Sequence, residues 1–183
     1  MPNITWRPRK LKIVGLIVCI LAGHPSVRTW PSELGDRGDG SDSVSTYAGD
    51  QLDTKAACDE VVRAHNRFRV QAKLPALEIS AKLQSAAERH AKDMAARGKM
   101  SHKGGDRSTP IERIKAAGYP YRRAGENVAV GRFTVEKLMI GWMDSPHHKR
   151  NILGSFSQIG VAYATGEDGK RYWCVTFGLP IRR

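Results

Sequence analysis

Cysteine, acid and long apolar runs are all scarce in this 183-residue chain, and each scarcity excludes something. Three cysteines, at 19, 58 and 174, are too few for a disulfide-built scaffold, so a hydrophobic core must hold the fold. The longest apolar run, Ile13 to Ala22, falls well short of the roughly 20 residues a bilayer-spanning helix needs. Aromatics make up 7% of residues, and no basic run interleaves with them, which argues against nucleic acid as a partner. Neither a His-Glu-x-x-His helix nor a Gly-x-Ser-x-Gly elbow occurs, so the common zinc-protease and serine-hydrolase signatures are missing.

What is present divides the chain in three. Arg7, Arg9, Lys10 and Lys12 precede the short apolar run, and small residues follow it. That is the pattern of a secretory signal peptide over residues 1–22, with cleavage near Ala22 or Gly23; an uncleaved anchor is the alternative. Cys19 follows the bulky Val18, which disfavours a lipoprotein site. Residues 23–52 are rich in Gly, Ser and Asp and read as a flexible linker, in which Arg37-Gly38-Asp39 is a chance triplet. Residues 53–183 carry the periodic patterns of one domain. The four positive charges of a cleaved leader reduce the formal net charge from +12 to +8, still basic enough to favour an anionic envelope component or peripheral membrane contact. Two cysteines then remain, and an even count in an exported chain suggests a Cys58–Cys174 disulfide; two buried thiols are the alternative.

Within the domain, Ala57, Val61, Ala64 and Phe68 mark one helix face, and Leu83, Ala87, His90 and Met94 a second, with Ser80 as its N-cap. On that stripe His90 reads as a hydrogen-bonded core residue. Met100 is placed to anchor the loop carrying His102. Thr109-Pro110-Ile111-Glu112 spells a capping box with proline at the first helical position. Gly125 to Gly131 suits a strand, Thr134 caps a helix buried through Val135, Leu138, Met139 and Trp142, and Ser145-Pro146 opens one further turn. Two apolar runs flanking Gly166–Gly169 read as a β-hairpin. Helices surrounding such strands imply an α+β sheet covered by helices.

The order of these pieces resembles the CAP superfamily (cysteine-rich secretory, antigen-five and pathogenesis-related proteins; the SCP-like domain), and its secreted bacterial branch most closely. The resemblance rests on His65-Asn66 with Arg69, His90-Ala91 with Met94-Ala95, Ser101-His102, Gly118-Tyr119 and Gly125-Glu126-Asn127. It continues through Trp142-Met143, Ser145-Pro146, His148 with Asn151-Ile152-Leu153, Ile159-Gly160-Val161, Tyr172-Trp173 and Phe177-Gly178. It implies a three-layer α-β-α sandwich with an antiparallel sheet and an open cleft. In the cleft, His102, Glu126 and His148 match three of four positions that can hold zinc or another divalent metal. The fourth, an acid, falls on Ser145, with Asp144 one residue off register. Asn127, Asp144, Ser145 and His147 are further candidates to touch a ligand. A His₂Glu set leaves a position for water, as catalytic zinc requires. The expected function is a secreted, monomeric binding module for a small amphiphile, a peptide or an anionic envelope component; the alternative is a metal-dependent hydrolase of an envelope or extracellular polymer.

Overall fold

The computed structural model describes residues 42–181, with side chains from Thr54 onward. The expected signal peptide, Cys19 and the linker as far as residue 41 lie outside the described residues. Helix α1 (Asp42–Gln71) begins earlier than the expected start at Asp53. Then follow β1 (Glu78–Ile79), α2 (Ala81–Ala96), α3 (Pro110–Ala116), β2 (Tyr121–Gly131), α4 (Val135–Asp144), α5 (Pro146–Ile152), β3 (Gln158–Thr165) and β4 (Arg171–Pro180).

The sheet order is β1-β3-β4-β2. The three long strands are antiparallel, as expected, whereas the two-residue β1 runs parallel to β3. The sheet is therefore mixed. Glu78 and Ile79 are both exposed, so β1 leaves no alternating apolar trace in the sequence.

Strand parity builds the three layers. On β4, Trp173, Val175 and Phe177 pack with Val61, Ala64, Leu138 and Trp142, the faces of α1 and α4. Tyr172 and Cys174 pack with Ala87, Ala91 and Met94 of α2. Alternate residues of one strand thus feed both cores, the α-β-α arrangement. Helix α2 lies hard against β3 at Gly160, where a Cβ would come within 2.3 Å of the Leu83 and Gln84 backbone. The helix faces read from periodicity are the buried ones: Leu83, Ala87, His90 and Met94 on α2, and Val135, Leu138, Met139 and Trp142 on α4. The capping box forms in full, with the Thr109 hydroxyl accepting from the Glu112 amide and the Glu112 carboxylate accepting from the Thr109 amide. Ser80 occupies the N-cap of α2 without a side-chain bond, and Met100 is 45% exposed rather than an anchor.

The expected disulfide is corrected by the same parity. Cys58 belongs to the core on the α1 side and Cys174 to the core on the α2 side, so the sheet separates them and both thiols are free. Burial pushes the Cys58 thiol up to about 11 and the Cys174 thiol well above its usual value. The Cys58 and Cys174 thiols are expected to react with a thiol reagent only after denaturation, and gel mobility of a Cys19→Ser variant is expected to be the same with and without reductant. Fewer than two titratable thiols in the denatured, unreduced Cys19→Ser variant would contradict the assignment.

Candidate functional site

Strand β2 is an edge strand, and its side chains point to opposite layers at its midpoint. Glu126 and Val128 face the α2 side; Asn127 and Ala129 face the α1 side. The loop between α2 and α3 arrives at this edge from one layer and α5 arrives from the other. These two segments carry His102 and His148.

Glu126 organises the first half. Its side chain is 2% exposed, and one carboxylate oxygen accepts from His102 Nδ1 at 2.8 Å. The other accepts from Arg113 Nη2 at 2.7 Å and lies 3.6 Å from Cys174 Sγ. Arg113, buried on α3, also donates to the His102 and Ser108 carbonyls, so one guanidinium fixes both the loop and the carboxylate. His90 holds the loop's other end through Nε2 and the Ser101 carbonyl at 2.7 Å. It is the hydrogen-bonded core histidine its apolar stripe implied. With Nδ1 donating to Glu126, His102 keeps Nε2 as a free acceptor, on a side chain that is 54% exposed.

The second half hangs on amides. Asn127 is fully buried and donates to the His148 carbonyl at 3.1 Å, while Asn151 Nδ2 donates to Asn127 Oδ1 at 2.8 Å and to the Glu126 carbonyl at 3.0 Å. Gly125 lets α5 approach, since a Cβ there would sit 3.0 Å from the Asn151 side chain. The His148 ring lies 6.4 Å from that of Trp142, with Nδ1 buried and unpartnered. Burial lowers its pKa, and the nearby imidazoles of His102 and then His147 push it in the same direction.

The structure thus joins His102 to Glu126 directly and sets His148 across the edge from them. Asn127 is committed to holding α5 and has no surface to offer a ligand. Asp144 and His147 are exposed, and neither has a hydrogen bond or ion pair to His102, Glu126 or His148. Ser145 ends α4 and begins α5, yet its hydroxyl makes no capping bond. Among the described residues, no group of three or more His, Cys, Asp or Glu side chains is gathered to hold a metal. The donor chemistry gives the reason: both Glu126 oxygens are already engaged, by Arg113 and His102. Arg113 and Asn151 are the components that sequence reasoning did not assign to the site. A carboxylate on an apolar strand requires a buried cation, which was the available signal for Arg113.

The profile of the cysteine-rich secretory protein family, CAP, matches residues 62–177. The chain belongs to this family. YkwD of Bacillus subtilis (strain 168) is 30% identical over 146 residues, covering 76% of this chain and 57% of that protein. The chain therefore spans little more than half the length of that relative. An outer surface protein from Borrelia burgdorferi superposes with a TM-score of 0.61 at 19% identity, over 81% of this chain and all of the other. An SCP-domain extracellular protein of Bacillus anthracis gives 0.61 at 24% identity, over 68% of this CAP chain and 41% of the other. These structures share the fold.

His65, on α1 of this CAP domain, is a packing residue. It is fully buried, with Nδ1 2.8 Å from the Val61 carbonyl and its ring against Trp142 and Phe177. Burial lowers its pKa from the usual 6.5 to about 4. The folded state keeps the ring neutral while the unfolded chain takes up a proton, so stability is lost as pH falls from 6.5 towards 4. One site with this shift costs about 3 kcal/mol at the acid end. His90 and His148 shift in the same direction. Denaturant melts between pH 7 and 4 are expected to show this loss, and a His65→Phe variant that folds is expected to show about half of it or less.

Proposed function

We propose that the chain is an extracellular binding module whose ligand sits over the β2 edge between His102 and His148. The observation that carries the reading is the buried Arg113–Glu126–His102 relay, which holds an exposed imidazole in one tautomer with its second nitrogen free. Preorganisation of this kind serves recognition by removing the entropic cost of fixing the ring. The surrounding segments are cationic: Lys103, Arg107, Lys149 and Arg150 are all exposed. An anionic envelope component, such as a polymer of phosphodiester-linked polyols, suits that surface better than an uncharged amphiphile or peptide.

A divalent metal would be held by the His102 and His148 imidazoles, with Glu126 behind His102 as the orienting carboxylate rather than as a ligand. Such an ion would supply a positive centre for anionic groups. The hydrolase alternative is weaker, because its third protein ligand and its general base would both have to come from a carboxylate already saturated by Arg113 and His102.

Calorimetry with poly(glycerol phosphate) tests the reading. Binding is expected to weaken as salt rises and to fall at least about tenfold in the His102→Ala, His148→Ala double variant. In a parallel titration, zinc binding is expected to be modest, to be lost in that double variant and to be unchanged in Asp144→Ala. Equal polymer binding by wild type and the double variant would reject the site.

A further inference from the structure

A second cavity lies well away from the histidines. A groove of about 640 Å³ lies on the opposite edge of the sheet, walled by α1 at Lys55, Cys58 and Val62 and by α2 at Gln84, Glu88 and Lys92, with β3 from Val161 to Thr165 as its floor. Its size is that of a ligand site.

The floor has a specific chemistry. Strand β1 pairs with β3 only at Gln158 and Ile159, and no other described strand lies along that side. The Glu78 and Ser80 amides bond to the Ser157 and Ile159 carbonyls, so the odd-numbered residues of β3 present their backbone groups outward. At Val161 those groups are taken by one side chain. Gln84 Oε1 accepts from the Val161 amide at 3.0 Å, and Gln84 Nε2 donates to the Val161 carbonyl at 2.7 Å. A carboxamide thus presents the acceptor and donor that a neighbouring strand residue would present. At Tyr163 the amide lies near the Cys58 thiol, which also lines the groove. By the same alternation, the Tyr163 carbonyl and both backbone groups of Thr165 face the groove, with no hydrogen-bond partner among the described residues.

We propose that this groove accepts an extended peptide segment of another polypeptide as a strand added beside β3, continuing the line of β1. Polypeptide backbone is the ligand chemistry that supplies donors and acceptors at this spacing, and it replaces the two Gln84 bonds one for one. A groove walled by two helices admits a single strand and excludes the edge of a second folded domain. The mixed-sign rim, Lys55 and Asp59 on one wall and Glu88 and Lys92 on the other, favours a segment carrying both charge signs over a polyanion. Gln84 is then a plug that keeps the edge covered until a strand displaces it, one of the ways edge strands are kept from non-specific pairing.

The test uses the full chain and a displayed library of random dodecapeptides as the probe. Selected peptides are expected to protect the Thr165 amide from hydrogen exchange. Thr165→Pro removes one outward donor and leaves the inward ladder intact, as proline is tolerated at an edge. It is expected to weaken those peptides about five- to tenfold, with circular dichroism unchanged. Gln84→Ala removes the plug and is expected to strengthen binding by a similar factor. The His102→Ala, His148→Ala variant is expected to bind the peptides like wild type, which separates this groove from the histidine site. Selected peptides that leave Thr165 unprotected, or that bind Thr165→Pro as well as wild type, would overturn the proposal. So would a Gln84→Ala variant with no gain.

Discussion

Replacing Arg69 with methionine is expected to lower unfolding free energy by about 5 kcal/mol, the largest loss from any single substitution considered for this domain. Arg69 is 1% exposed at the end of α1 and donates to four backbone carbonyls. Nε reaches Pro75, Nη1 reaches Ile152 and Gly154, and Nη2 reaches Phe156, all between 2.8 and 2.9 Å. Methionine fills similar volume but donates nothing, so four carbonyls lose a charged donor. Water cannot easily replace it around Ile152 and Phe156, which are buried. The same bonds fasten the chain just after α5 to α1, so the variant is also expected to loosen His148. Urea melts measure the stability, and hydrogen exchange across residues 146–156 measures the loosening. A loss below about 2 kcal/mol would mean the cluster is solvated or readily repacked.

The second large effect is expected at the buried pair. Arg113→Met leaves the Glu126 carboxylate 2% exposed with no permanent cation beside it, only the His102 and His90 imidazoles and the Cys174 thiol, and removing one partner of a buried ion pair costs about 3–5 kcal/mol. Adding Glu126→Gln to Arg113→Met removes the stranded charge and is expected to restore at least half of that loss. Recovery by the double change distinguishes an electrostatic penalty from a lost packing contact, since a cavity left by the arginine stem would persist. Unfolding of wild type, single and double variants under one condition completes the cycle.

Local chemistry made much of this fold legible. The capping box at Thr109 and Glu112, the stripes of α2 and α4, and the Gly166–Gly169 hairpin each follow from residues within a few positions of one another. What depended on distant partners was less readable. Strand β1 has two exposed residues and exists only because β3 passes beside it. Cys174 lies on the buried parity shared with Tyr172, but assigning that parity to a layer requires knowing where α2 lies. At the site, the residues that would face a ligand were easier to name than those that hold them. His102 and His148 stood out beside glycine and proline, whereas Arg113 and Asn151 look in sequence like ordinary surface residues of short helices. Asn127 was expected at the ligand and instead fastens a helix, because a side chain on an edge strand faces one layer or the other and this one faces inward.

With Cys58 and Cys174 on opposite faces of the sheet, maturation of the domain requires no oxidation step. Among the described residues the fold therefore contains no covalent cross-link that a reducing environment could break, and its melting curve is expected to be the same with and without reductant.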